Sequence, residues 1–232
     1  MQKPRAIDAR LYAIVDPERA GGHTLTDLAQ AVVRGGATVV QLRDKHADGR
    51  RLVEEARAIK AALEPSSVPL LINDRVDVAL ASEAAGVHLG QDDMAVADAR
   101  RLLGPAAVIG LSVKTIAQAE AAPVDLLDYV GIGGVFATTS KDNPDPPIGT
   151  QGLARIIEVL RRRAPKLRLI AIAGIDAGNA ARVIGAGADG VAVISALSLA
   201  PDPAAAAREL RQIVDAALTT AASGHAAAVA KT

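Results

Sequence analysis

The 232-residue chain contains no cysteine and no tryptophan, and Tyr12, Tyr129 and Phe136 are its only Phe, Tyr or Trp residues. The missing thiols exclude a disulfide framework, a thiolate nucleophile and a zinc–thiolate centre. So few rings exclude a stacking platform for single-stranded nucleic acid. Charge of one sign is lacking as well. The 26 Lys and Arg balance 26 Asp and Glu, which removes the broad cationic footprint of a nucleic-acid binder. No stretch approaches the roughly 20 uninterrupted apolar residues of a membrane span. MQKPRAIDAR at residues 1–10 lacks the apolar core of a secretory signal. A cytoplasmic protein that contacts neither nucleic acid nor membrane is the expectation.

What is present is aliphatic: half the residues are hydrophobic, so the core must be built from Ala, Val, Leu and Ile. Short apolar runs recur at LYAIVD (11–16), TVVQLR (38–43), VPLLIN (68–73) and GVHLG (86–90). They continue at AVIGLS (107–112), YVGIGG (129–134), LRLIAIAG (167–174) and DGVAVIS (189–195). Between them lie stretches such as LTDLAQAVVRGG, RLVEEARAIKAALE, AVADARRLLG and GLARIIEVLRRRA. Their apolar residues fall at three- and four-residue steps, as a helix face requires. Runs apolar on both faces suit strands of a covered parallel sheet. Eight strand–helix alternations are the count of a closed (β/α)8 barrel, the α/β fold of TIM-barrel type. The first turn, DPERAGGHT, carries no G-x-G-x-x-G, which argues against an open doubly wound sheet. The expected organisation is an N-terminal extension (1–10), one barrel (11–218) and an Ala-rich C-terminal tail (219–232) that frays.

Active groups of such a barrel collect where strands end. The second strand runs out through Gln41-Leu42-Arg43-Asp44-Lys45. With a period of two, Gln41, Arg43 and Lys45 share one face and point to the barrel mouth. Two cations there imply an anionic partner, with a solvated, salt-bridged rim as the competing reading. The third strand ends Asn73-Asp74, and Gln91-Asp92-Asp93 follows the fourth. Carboxylates from adjacent strand ends can hold one Mg2+, although each Asp taken alone reads as a helix cap before a ligand. Ser112 ends the fifth strand, two residues before Lys114. Gly131 and Gly133 clear one face of the sixth strand, either for a ligand or for packing. The long connection VFATTSKDNPDPPIG (135–149) then offers Thr138, Thr139, Ser140 and Lys141. Its prolines deny helix and central strand, and closure of this loop over substrate is expected. Gly174, Ile194 and Ser195 sit at the ends of the seventh and eighth strands, the usual phosphate site of this barrel. His23, His46, His88 and His225 have no metal-ligand spacing. His88, inside an apolar run, reads as structural. No general base or covalent nucleophile stands out, which suits displacement of a pyrophosphate leaving group.

With QLRDK (41–45), IND (72–74), GVHLGQDD (86–93), GLSVK (110–114), GIGGVFATTSK (131–141), AIAGI (171–175) and GVAVIS (190–195), the chain resembles the thiamine-phosphate synthase family over almost its whole length. The resemblance implies condensation of a hydroxymethylpyrimidine diphosphate with a thiazole phosphate, or its carboxylated form, with Mg2+ as cofactor. It implies dissociative loss of diphosphate before the thiazole nitrogen attacks. It places the pyrimidine diphosphate on Gln41, Leu42, Arg43, Asp44, Lys45, Asn73, Ser112 and Lys141, with Arg43, Lys45, Ser112 and Lys141 as the catalytic set. It places Mg2+ on Asp74 and Asp93, and the thiazole phosphate on Thr138, Thr139, Ser140, Gly174, Ile194 and Ser195. Arg43, Lys45, Lys141 and Mg2+ then supply about +5 against roughly −3 on the diphosphate. Gly134, Ala137 and Ser140 depart from residues common in the family. Competing expectations are a thiazole tautomerase relative, a non-catalytic phosphate sensor, or another phosphate-sugar barrel enzyme, for which no acid/base pair is evident. A homo-oligomer is the one macromolecular partner left open.

Overall fold

The structure, a computed structural model, describes residues 7–138, 140 and 146–229. Strands and helices alternate as β1 (Leu11–Val15), α1 (Leu25–Arg34), β2 (Val39–Leu42), α2 (Gly49–Leu63), β3 (Leu70–Asn73), α3 (Val76–Ser82), β4 (Gly86–Leu89) and α4 (Val96–Leu103). The order continues with β5 (Val108–Val113), α5 (Ile116–Ala121), β6 (Tyr129–Ile132), α6 (Gly149–Arg163), β7 (Arg168–Ile172), α7 (Ala180–Gly185), β8 (Gly190–Val193), α8 (Ser195–Ser198) and α9 (Pro203–Val229). All eight strands are parallel, each pairs with the next, and β8 closes on β1. The chain is thus the (β/α)8 barrel that the alternation predicts.

Local chemistry sets the helix ends. Thr24 and Asp48 accept from the Asp27 and Arg51 amides at 3.1 and 3.0 Å, capping α1 and α2. Thr115 and Gln118 form a reciprocal capping box on α5. In α2 the buried residues Leu52, Ala56, Ile59 and Leu63 recur at helical spacing and lay one stripe on the sheet. The tail expected to fray from Thr219 falls within α9, which continues to Val229; residues 230–232 lie outside the described residues.

Strand alternation divides the core in two. Leu11, Ala13, Val40, Leu42, Ile72 and Val130 face the helices. Tyr12, Ile14, Val39, Leu71, Val108, Tyr129, Ile170 and Ala192 fill the barrel, with Ile7 and Ala9 in the same cluster. The same parity places Gln41, Asn73, His88, Ser112 and Gly131 on the inner face, nearer the strands' C-terminal ends.

The N-terminal end is stapled by two equivalent constructions. Asp128 Oδ2 accepts from the Ile109 amide and from Arg100, both at 2.8 Å. Asp189 Oδ2 accepts from the Leu169 amide and from Arg161, at 2.7 and 2.6 Å. Each arginine comes from the helix that leads into the odd strand and also donates to carbonyls at the turn it spans, Ala107 at 2.6 Å and Leu167 at 2.6 Å.

Candidate active site

The C-terminal end of the barrel gathers the polar strand ends. Arg43 Nη1 is hydrogen-bonded to Asp16 Oδ2, and both side chains are largely buried, at 11% and 1% exposure. The other Asp16 oxygen caps the turn after β1, accepting from the Glu18 amide at 3.0 Å. Asp16 holds the guanidinium in place before any ligand arrives. No motif reading singled it out, because the pair forms across the β1–β2 register in which Val15 faces Leu42.

Lys45 Nζ is hydrogen-bonded to Asp74 Oδ2. Asp74 has left-handed backbone, φ 62°, a conformation Asp tolerates better than most residues. Asp93 Oδ2 accepts from the Gly90 amide at 2.6 Å. Burial, together with the neighbouring Asp74 carboxylate, pushes the Asp93 carboxyl above its ordinary range, against the pull of the Gly90 amide and of Lys45. Asp74 and Asp93 are therefore close enough to repel. No group of three or more His, Cys, Asp or Glu converges on one point among the described residues. Two hard carboxylates facing each other at an open mouth nonetheless fit Mg2+, which takes one or two of them and fills its octahedron with water and phosphate. Asp16, Asp74 and Asp93 offset three of the positive charges that a count of cations alone assigns to this mouth.

Two members of the 41–45 segment stand apart. The Leu42 side chain is fully buried among the helix-facing residues, so only its backbone can reach a ligand. Asp44 Oδ1 accepts from the His46 and Ala47 amides at 2.8 and 2.9 Å, closing its own turn. Gln91 Nε2 donates to the Ser112 carbonyl at 2.6 Å and ties the β4 end to β5. Thr139 and Lys141 lie outside the described residues, as do residues 142–145 of the loop expected to close.

Opposite the charged half lies a cleft at the ends of β5–β8, with about 100 Å³ of space inside it. Its lining includes Ser112, Lys114, Gly133, Thr138, Ser140, Gly174, Ile194 and Ser195. Ser140 Oγ donates to Ser195 Oγ at 3.1 Å, and the Ser140 amide donates to Thr138 Oγ1 at 3.1 Å. The loop's first limb extends along β7 through Phe136 N–H to the Ala173 carbonyl at 3.0 Å. Gly174, at φ 63°, is where the two backbones touch: a Cβ there would lie 2.4 Å from the Ala137 carbonyl oxygen.

The space cleared by the β6 glycines is partly filled. A Cβ on Gly131 would meet His88 Cε1 at 3.1 Å, and one on Gly133 would meet Lys114 Cγ at 3.5 Å. His88 joins Tyr129 and Ser112 by hydrogen bonds of 2.8 Å each, an involvement that its place in an apolar run does not announce. A small second cavity, about 20 Å³, lies deeper and is bounded by Tyr12, Gln41, His88, Tyr129 and Gly131. Gln41 is 1% exposed, and its Oε1 is buried there with no hydrogen-bond partner.

A family model described as thiamine monophosphate synthase matches residues 11–197. The chain is 51% identical to the thiamine-phosphate synthase of Agrobacterium fabrum over 91% of its own length and 96% of that relative. It is 47% identical to that of Chloroflexus aurantiacus over 90% and 94%. Among solved structures, a thiamine phosphate pyrophosphorylase from Pyrococcus furiosus superposes with a TM-score of 0.79 at 35% identity, covering 91% of this chain and 98% of that one.

Proposed function

The chain belongs to the thiamine monophosphate synthase family, a family of transferases, and we propose on that premise that its mouth joins 4-amino-2-methyl-5-(diphosphooxymethyl)pyrimidine to 4-methyl-5-(2-phosphooxyethyl)thiazole or its carboxylated form. The products are thiamine phosphate and diphosphate. The tautomerase and sensor alternatives gain no support from these relatives. The observation that carries the reading is the division of the mouth: charged pairs at the ends of β1–β4, a hydroxyl-lined cavity at the ends of β5–β8.

In this reading Arg43, Lys45 and Ser112 hold the diphosphate, with Lys141 from the loop and Asn73 beside them. Asp16 and Asp74 have already oriented the two cations, so little reorganisation accompanies charge development on the leaving group. Asp74 and Asp93 are the residues that would hold Mg2+. When bound, the ion neutralises part of the diphosphate charge. Gln41 meets the pyrimidine edge, its unpartnered Oε1 accepting from the 4-amino group and so ending the cost of a buried orphan acceptor. Thr138, Thr139, Ser140 and Ser195 give hydroxyls to the thiazole phosphate. Gly174 and Ile194 bring backbone close to it.

The carbon–oxygen bond to diphosphate breaks as its electrons pass to the leaving group. The thiazole nitrogen lone pair then forms the new carbon–nitrogen bond. That nitrogen has no proton to lose, so no general base is required. A cytoplasmic setting belongs to the same proposal; no helix among the described residues is long and apolar enough to cross a membrane.

The test is diphosphate release from purified protein with both substrates and Mg2+, set against EDTA and single-substrate controls. Release that needs both substrates and the metal is expected. Binding of the thiazole phosphate without release would overturn the reading.

A further inference from the structure

Five side chains cross the barrel interior in an unbroken chain that links the two halves of the mouth. Gln41 Nε2 donates to Tyr12 Oη at 2.7 Å, and Tyr12 Oη lies 2.9 Å from Tyr129 Oη. Tyr129 Oη lies 2.8 Å from His88 Nδ1, and His88 Nε2 lies 2.8 Å from Ser112 Oγ. Both tyrosines are almost completely buried, Tyr12 at 2% and Tyr129 at 1% exposure. Burial pushes both phenols up, so they keep their protons.

A phenol has one proton to give and a neutral imidazole has one N–H, so the direction of one bond in this chain fixes all the others. Run from Gln41 towards Ser112, Gln41 N–H donates to Tyr12, Tyr12 to Tyr129, Tyr129 to His88 Nδ1, and His88 Nε2–H to Ser112. The ends then present the Gln41 carbonyl oxygen as an acceptor and the Ser112 O–H as a donor. Run the other way, Ser112 spends its proton on His88, and Tyr12 donates to a Gln41 amide that has turned over. The ends then present the Gln41 amino group and a serine oxygen with no proton to offer. Only the first direction suits an anion beside Ser112.

We propose that Tyr12, Tyr129 and His88 are positioning residues that couple the anion end of the site to its ring-reading end. A diphosphate accepting from Ser112 sets the direction of the chain, and that direction holds the Gln41 amide in the orientation that reads an amino-substituted ring. The inference rests on the aminopyrimidine diphosphate reading above. The selectivity it explains is specific. A 4-oxo pyrimidine presents a ring N–H and a carbonyl where the 4-amino ring presents a ring nitrogen and an amino group. A glutamine free to turn over matches either; one held by Tyr12 matches one and clashes with the other.

The experiment has two arms. In the first, 15N NMR of the histidine side chains reads the His88 tautomer in the wild-type chain at neutral pH with Mg2+ and inorganic pyrophosphate bound, His88→Gln identifying the signal. The Nε2–H tautomer is expected. An imidazolium or an Nδ1–H ring with pyrophosphate bound overturns the proposal. In the second arm, kcat/KM is measured for the 4-amino diphosphate and its 4-oxo counterpart. Tyr129→Phe, with Tyr12→Phe as a second break in the same chain, should lower the amino-over-oxo ratio about tenfold, mainly through a lower KM for the oxo substrate once the amide is free to turn over. A loosened barrel would depress both substrates together, and an unchanged ratio in both variants removes the coupling while leaving the synthase reading intact. Absence of turnover by the wild-type chain would remove that reading, and the coupling with it.

Discussion

At the N-terminal end of the barrel, Asp128 and Asp189 each use a single oxygen to accept from a strand amide and an arginine. At the C-terminal end, Asp16 holds Arg43, Asp74 holds Lys45, and Asp93 faces Asp74 with a single backbone amide to favour its charge. The residue types are nearly the same, but the circuits are not. Below, both of these carboxylates meet a guanidinium that also bridges turn carbonyls, as Arg100 does with Gly104, Ala107 and Leu126. Above, cations stop at one carboxylate and two carboxylates crowd each other. A satisfied network fixes a barrel, whereas the network with unspent charge is where the proposed function seats its diphosphate and Mg2+.

The widest separation between the ends comes from removing one carboxylate at each. Asp128→Ala leaves the Ile109 amide and Arg100 without their shared acceptor and should cost about 3 kcal/mol. That corresponds to a fall in Tm of roughly 6–12 °C for a chain of this size, with kcat at 25 °C close to wild type. Asp93→Ala should do the reverse: activity falls on the order of 10²-fold, extra Mg2+ restores part of it, and Tm does not fall, because a repulsive neighbour of Asp74 has gone. Thermal unfolding and diphosphate release on the same two preparations decide it. Parallel loss of stability and activity in both variants would erase the distinction.

The fold was legible because the strand runs are apolar on both faces and short, which only a covered parallel sheet accommodates. All eight runs became strands. Helices α3, α5 and α7 span six or seven residues, fewer than two turns, and so little periodicity does not separate a helix from a loop. Of the site, Gln41 and Arg43 were legible from the period of two alone. Asp16 and the Tyr12–Tyr129–His88 chain were not. Their partners come from register between strands, such as His88 against Gly110 and Ser112 against Gly131, and register is a property of the closed sheet rather than of any one segment. The glycines on β5 and β6 were the nearest signal. Their missing side chains are where the rings of Tyr129 and His88 lie.

A smaller effect tests the hydroxyl-lined half against the charged half. Gly174→Ala adds a methyl group 2.4 Å from the Ala137 carbonyl oxygen at a positive φ. The strain should cost about 1–3 kcal/mol and displace the limb that carries Thr138 and Ser140. The expected signature is a higher KM for the thiazole phosphate with the KM for the pyrimidine diphosphate unchanged. Equal rises in both would mean that the two halves of the mouth are not independent.

The smallest effect lies at the exposed rim of the N-terminal end, where Asp8 is bound by Arg10 at 2.6 Å. The Arg10 guanidinium, opposed by partial burial, holds the Asp8 carboxyl below its usual value of 3.8. A carboxyl whose folded-state pKa is lowered stabilises the protein above its unfolded value, and that contribution is lost as pH falls through the folded one. Asp8→Asn should therefore flatten the acid limb of a Tm-against-pH curve below about pH 4 and change Tm little at pH 7, since both side chains are about two-fifths exposed and solvent screens the pair. Asp128→Asn, which removes a carboxylate only 3% exposed, should lower Tm across the whole range instead. If the two curves were displaced alike, burial would not be what distinguishes the staples of the barrel from the ion pairs around it.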